Sequence, residues 1–242
     1  MTHRLGRALS PALGGRERMR FTGHIAGAGT ASGTRLVLGC WVRTPHGPFA
    51  DVMVEHPDGH RQLLAPDDWV ADFVSSTYRF DEVLRTEIQV SREPAEAAPA
   101  DAGDIPGSTG RGSRWSVQAG PLAWEFTVGP RDPLGWLLRA VPAPLSRTLT
   151  LARMSDPIAR VVMRGVRTLG TAGGGRTEWY SATDLHRIAE SSASWDGTDL
   201  GVLADVLPSP SFGFGSTPAT PGVTSLTTTV RLPKGQLIPA GR

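Results

Sequence analysis

Lysine is nearly absent from this chain of 242 residues: among 25 basic residues, Lys234 is the only one that is not arginine. That scarcity removes whole classes of chemistry. A P-loop needs a lysine after its glycines, and Schiff-base or pyridoxal enzymes need one in a pocket, whereas Lys234 follows Pro233 in a polar tail. Cysteine is equally rare. Cys40 stands alone in the apolar run LVLGCWV, so a single chain forms neither a disulfide framework nor a zinc–thiolate site, and an inert buried thiol is expected. No apolar run approaches the roughly 20 residues of a membrane helix. The arginine-bearing first residues contain no apolar core of signal-peptide length, so the expected compartment is cytoplasmic. A formal charge of only +2 gives no global field that argues for nucleic acid.

Familiar motifs are missing as well. The glycines of GAGTASG (27–33) have G-x-G-x-x-x-G spacing and lead into a strand pattern, whereas a dinucleotide loop requires a helix N-terminus there. No G-x-S-x-G nucleophile elbow occurs. His56 and His60 have the H-x-x-x-H spacing of a helical metal pair, but Pro57-Asp58-Gly59 between them makes a turn, and no third ligand is in view. Neither a metal nor a cofactor is expected.

Glycine (29) and proline (20), by contrast, are plentiful, as many tight turns between strands require. Alternation of apolar and polar residues starts at Met19, Phe21, Gly23 and Ile25, and GAGTASG is read as breaking that strand. Residues 34–43 are apolar on both faces, as in a central strand covered twice. Residues 49–56 and 60–65 flank Pro57-Asp58-Gly59 as a hairpin. Asp67-Asp68 caps a short helix bearing Trp69 and Phe73. Leu84, Thr86, Ile88 and Val90 share one strand face. Trp115, Val117 and Ala119, then Leu122, Trp124, Phe126 and Val128, form a second hairpin across Gly120-Pro121. The segment 211–216 reads as a glycine-spaced strand showing Phe212 and Phe214, and Leu226, Thr228, Val230 and Leu232 close the pattern.

These elements predict an α+β, mostly β fold: a curved antiparallel sheet or barrel-like domain, with a helical insertion covering one end or face. The expected organisation is a loose N-terminus (1–17), one β-rich domain (18–232) and a polar tail (233–242). Within the domain, residues 92–113 are read as a flexible loop poor in large apolar residues. Residues 130–168 are read as the helical insertion, with Asp132-Pro133 and Asp156-Pro157 each starting a helix. Seven arginines against Asp132 and Asp156 give that insertion +5 of the chain's total of +2.

Chemically able side chains crowd together in residues 170–188, GTAGGGRTEWYSATDLHRI. A strand over 177–188 would place Glu178, Tyr180, Asp184 and His186 on one side, where a carboxylate can orient the imidazole and Tyr180 can supply a proton. Gly173, Gly174 and Gly175 can offer backbone N–H groups to an anion, with Arg176 beside them. The plain alternative is a turn followed by a solvated polar face. Four segments, FADVMVE (49–55), FVSSTYRFDEV (73–83), GGGRTEWY-x-x-x-DLH (173–186) and FGFGSTP (212–218), resemble a group of uncharacterised proteins from high-GC Gram-positive bacteria. The resemblance spans residues 20–232 and agrees with the Arg-, Ala- and Gly-rich composition. It implies an origin and supplies no activity, ligand or fold.

Three functions are expected from this reading. The first is binding of a small, largely apolar ligand in a β-rich cavity under a helical lid, with Gly174, Arg176, Trp179, Trp124, Phe126 and Trp136 as contacts. The second is a metal-independent acid–base enzyme using Glu178, Tyr180, Asp184 and His186. The third is non-catalytic binding of a partner, or of an anionic membrane surface, through the basic helical block.

Overall fold

The computed structural model describes residues 18–94, 110–141, 169–172, 176–213 and 217–231, with the side chains of 169–172 and 176 excepted. Its first half contains β1 (Arg18–Thr30), β2 (Arg35–Arg43), β3 (Phe49–Glu55), β4 (Arg61–Ala65), α1 (Asp68–Ser75), β5 (Glu82–Arg85) and β6 (Ile88–Glu93). The second contains β7 (Arg114–Ala119), β8 (Leu122–Arg131), α2 (Pro133–Ala140), β9 (Leu169–Ala172), β10 (Arg176–Trp195), β11 (Thr198–Asp199), β12 (Leu203–Ala204) and β13 (Gly222–Arg231).

The strands form one sheet in the order β5-β4-β3-β2-β1-β13-β10-β8-β7-β6, with β9 and β11 pairing β10 and β12 pairing β1. The fold is mostly β, and the ten-stranded path curls into a half-barrel. Its two terminal strands are consecutive in the chain, linked by Thr86 and Glu87 alone. Three peptide steps reach at most about 11 Å, so the sheet must bend until those edges meet at that corner.

Pairing is antiparallel except between β4 and β5. The exception follows from α1, which lies between them in the chain as a crossover and returns β5 in the direction of β4. Asp67 starts α1 by accepting the backbone N–H of Val70, and Asp132 starts α2 by accepting that of Leu134, as their capping positions predict. The residues of the second helix expected at Asp156-Pro157 lie outside those described.

Period-2 geometry sends alternate residues to the two sheet faces. The concave face gathers Ala26, Leu36, Leu38, Val52, Leu64, Trp115, Val117, Trp124, Phe126 and Val223 into one core. Leu84, Ile88 and Val90 pack against it from β5 and β6, sharing the face their alternation predicts. On the convex face, Ile25, Val37, Met53 and Leu63 meet Val70, Ala71 and Val74 of α1. β2 is therefore covered on both sides, as its apolar run requires.

Three sequence expectations change. β1 runs unbroken through Gly27 and Gly29, and its turn comes only after Thr30. Those glycines serve close approach instead: a Cβ on Gly27 would sit 1.9 Å from Thr217 Oγ1, and one on Gly29 2.2 Å from the carbonyl oxygen of Asp205. The chain at 211–213 is irregular rather than a strand, and Phe212 plugs the convex core, while 214–216 lie outside the described residues. The largest change is in β10. Its register against β13 shifts between Ala182 and Asp184, where Thr183 is the extra residue of a β-bulge. One inserted residue inverts the facing of the residues that follow, here as far as the next irregularity within β10, between Ile188 and Glu190.

Candidate functional site

The bulge divides the four residues expected on one side. Glu178 pairs across β13 with Val230, and Tyr180 with Thr228, so both face the convex side. Asp184 pairs with Ser225 and His186 with Val223, a concave-core residue, so both face inward. Two separate constellations result, one on each side of a single strand.

The inward pair is tied into the wall. Arg131 Nε lies 2.9 Å from Asp184 Oδ1, and Arg139 Nη1 and His186 Nε2 each approach Oδ2 at 3.6 Å. The backbone N–H of Leu185 also donates to Asp184 Oδ1 at 2.9 Å. Burial works against the Asp184 charge, but the nearby His186 ring and the hydrogen bond from Arg131 prevail and lower its pKa to about 2. His186 Nδ1 meets the carbonyl oxygen of Gly129 at 3.2 Å, and the imidazole is 4% exposed. Nearby, Asp132 accepts from Arg187 Nε, and Gly135 lets α2 settle on β10, since a Cβ there would lie 2.4 Å from the carbonyl oxygen of Leu185. The dyad is sealed between β10, β8 and α2. It fastens these elements and offers little room for a substrate.

The outward pair faces a pocket. Between the convex wall and α1 lies a cavity of about 40 Å³, lined by residues of β1, β2, β3, β10, β13, α1 and the turn after it. Asp51, Glu178 and Thr228 are buried and form its floor, while Trp41, Phe49, Phe73, Tyr78 and Tyr180 are half-buried and form its rim. Trp41 Nε1–H donates to Asp51 Oδ1 at 3.0 Å. That pair exists because β2 carries glycine opposite Asp51. A Cβ on Gly39 would stand 2.5 Å from Asp51 Oδ1 and 2.6 Å from Trp41 Nε1.

Electrostatics here run opposite to those around Asp184. Burial raises the pKa of Asp51 to about 7, and the hydrogen bond from Trp41 offsets only part of that rise. The hydroxyls of Tyr78 and Tyr180 are in close hydrogen-bond contact, and Tyr180 is also bonded to Glu178. A phenol has one proton to give. If Tyr180 donates to the Glu178 carboxylate, Tyr78 must donate to Tyr180. Burial first, then the Glu178 charge, holds both phenols well above their usual pKa, so both stay neutral. Thr228, 3% exposed, has a buried hydroxyl with no hydrogen-bond partner among the described residues.

The ligand contacts expected from sequence do not share one place. In the concave core Phe126 stacks on Trp115 at a centroid separation of 5.5 Å and lies tilted against Trp124 at 4.8 Å, and there Trp124 and Phe126 serve as packing. Trp179 is buried on the inward face, with Arg18 over its ring. Trp136 is 61% exposed on α2, with Arg131 against its ring. Gly174 lies outside the described residues, as does the side chain of Arg176. Of the predicted site residues that are described, Glu178 and Tyr180 reach the pocket.

Asp51, Trp41, Gly39, Tyr78 and Thr228 were not singled out from sequence, although one signal was present. In FADVMVE, Asp51 shares a face with Phe49 and Met53, in a neighbourhood where β2 is apolar on both sides. A carboxylate on a covered face is the informative anomaly. Among the described residues no group of three or more His, Cys, Asp or Glu is placed to hold a metal ion. No described helix is long and apolar enough to cross a membrane. Comparison with protein-family models, with curated proteins and with solved structures finds no match to this chain.

Proposed function

We propose that the protein binds a small organic molecule in the pocket beneath α1. The aromatic rim would cover its apolar body, and the carboxylate floor would hold a polar end. One observation carries this reading: a buried acid, Asp51, sits with an unsatisfied hydroxyl at the bottom of an aromatic-walled recess. Natural ligand sites combine mostly apolar walls with a few polar groups aimed inward in this way. The volume allows about three water-sized groups, so the floor takes a compact head and the rest of the ligand lies along the rim. The roof in this reading is α1, and most of 130–168, the lid expected from sequence, lies outside the described residues.

A fragment screen followed by NMR tests the proposal. Bound fragments should shift the indole N–H of Trp41 and the ring signals of Phe49 and Phe73. Fragments that bind but perturb only other parts of the protein would rule the pocket out.

A second reading, proton transfer in the same recess, draws on Asp51, which changes protonation near neutral pH beside two neutral phenols. It predicts that a bound carbonyl compound exchanges its α-protons with deuterated solvent, and that Asp51→Asn stops the exchange. Exchange unaffected by that variant would end this reading.

A further inference from the structure

We infer that the polar end of the ligand is a protonated amine, so that the pocket selects small organic ammonium ions with an apolar or aromatic body. The inference rests on the reading of the pocket as a ligand site. Among the described residues that line it there is no arginine, lysine or histidine. A buried carboxylate needs either a cation or a proton, because an isolated charge out of water is very costly. Asp184 has cations from the protein, whereas Asp51 has the indole of Trp41 as its hydrogen-bond donor. A ligand ammonium would supply Asp51 with the cation that the described lining does not provide.

Three further features suit that head group. An ammonium carries three N–H donors and no acceptor. The floor offers acceptors to match: the carboxylates of Asp51 and Glu178, and the Thr228 hydroxyl, which has no partner among the described residues. Phe21, Trp41, Phe49 and Phe73 line the same recess and contact one another, with ring centroids 4.8 to 6.5 Å apart. Aromatic faces attract organic cations, and several rings around one site are a recurring way to hold an alkylammonium. An anionic ligand would meet the Asp51 carboxylate, whose only side-chain hydrogen bond comes from the neutral indole of Trp41.

The charged state of Asp51 then sets the pH dependence. The titratable groups around it are Glu178 and Tyr180 from β10 and Tyr78 after α1. Cys40 lies on the other face of β2, with Arg92 against its sulfur. Both phenols stay neutral, and burial raises the Cys40 thiol, so neither kind of group competes with Asp51 near neutrality. Ammonium binding should strengthen as Asp51 ionises. Between pH 6 and pH 8 the ionised fraction of a group titrating near 7 rises about tenfold.

The test is calorimetric titration of the full chain with benzylammonium and with its neutral counterpart benzyl alcohol. Asp51→Asn, Glu178→Gln and Thr228→Val are titrated in parallel. Benzylammonium should bind about tenfold or more tightly than benzyl alcohol at pH 8, with an advantage that shrinks about tenfold at pH 6. Asp51→Asn keeps an acceptor for Trp41 and should erase both the preference and the pH dependence. Glu178→Gln and Thr228→Val should weaken the ammonium selectively, and they carry the test if the Asn variant does not fold. Equal binding of the two probes, with Trp41 shifted by both, would overturn the amine assignment and leave the ligand-site reading standing. Failure of both probes and of the fragment screen to reach Trp41 would overturn the two together.

Discussion

Asp51 and Asp184 are the same side chain, both buried, on opposite faces of one curved sheet, and their protonation is pushed in opposite directions. Asp184 is met by Arg131, Arg139 and His186, and of these His186 and Arg131 lower its pKa to about 2. Asp51 is met by an indole N–H among phenyl rings and rises to about 7. Burial alone therefore does not distinguish a structural carboxylate from a functional one. The distinction is whether the fold itself supplies the countercharge. Where it does, the acid fastens elements together. Where it does not, the acid is left poised for a proton or for a cation brought from outside.

Replacing Asp51 should give the largest effect. Its folded pKa lies above the ordinary 3.8, so the folded state holds a proton that the unfolded state has released. The resulting penalty on folding is absent below pH 3.8, grows from there to about pH 7, and is complete above it. The gap between 3.8 and about 7 corresponds to about 4 kcal/mol. Urea unfolding at pH 4 and pH 8 should show Asp51→Asn gaining on the native chain by up to that amount at the higher pH. An unchanging difference between the two proteins would mean that Asp51 is not held neutral by burial.

Asp184→Asn should move the other way. A folded pKa near 2 stabilises the protein above the unfolded value, and that contribution disappears as pH falls through 2. Removing one partner from a buried ion cluster costs about 3 kcal/mol or more. The variant should be destabilised by about that much at pH 7 and converge on the native chain near pH 2. A loss that is the same at both pH values would show that Asp184 acts through packing rather than charge.

Gly39 tests how the Asp51 side is built. The Cβ of Gly39→Ala would meet both members of the Trp41–Asp51 hydrogen bond, and crowding of this kind costs about 2 kcal/mol. The indole N–H resonance of Trp41 should shift as the bond is displaced. An unmoved resonance would show that the pair does not depend on the missing side chain.

Much of this molecule follows from local pattern. Alternation in residues 84–90 and 115–128 identifies the concave core, the doubly apolar run at 34–43 identifies a strand covered twice, and Asp67 and Asp132 mark both described helix starts. The candidate site was only half legible, because it depends on two long-range facts. A bulge at Thr183 depends on how β10 registers against β13, some forty residues away, and no period within β10 announces it. It separates Glu178 and Tyr180 from Asp184 and His186, which strict alternation would unite. The significance of Asp51 likewise depends on α1 arriving over β3. On an uncovered strand the same residue would be a solvated acid.

Tyr180→Phe should have the smallest effect and separates the two possible origins of Asp51's behaviour. It removes the hydroxyl shared by Tyr78 and Glu178, at a cost of about 1 kcal/mol for a buried hydrogen bond. Asp51 owes its elevation to burial, opposed only by the Trp41 bond, and not to the tyrosines. Its carboxyl ¹³C titration should therefore stay near 7 in Tyr180→Phe and move higher in Trp41→Phe, where that donor is lost. If the tyrosine variant instead brings Asp51 back toward 3.8, the recess is one coupled acid network. The contrast with Asp184 would then lie in which neighbours share the proton, and a missing cation would no longer explain it.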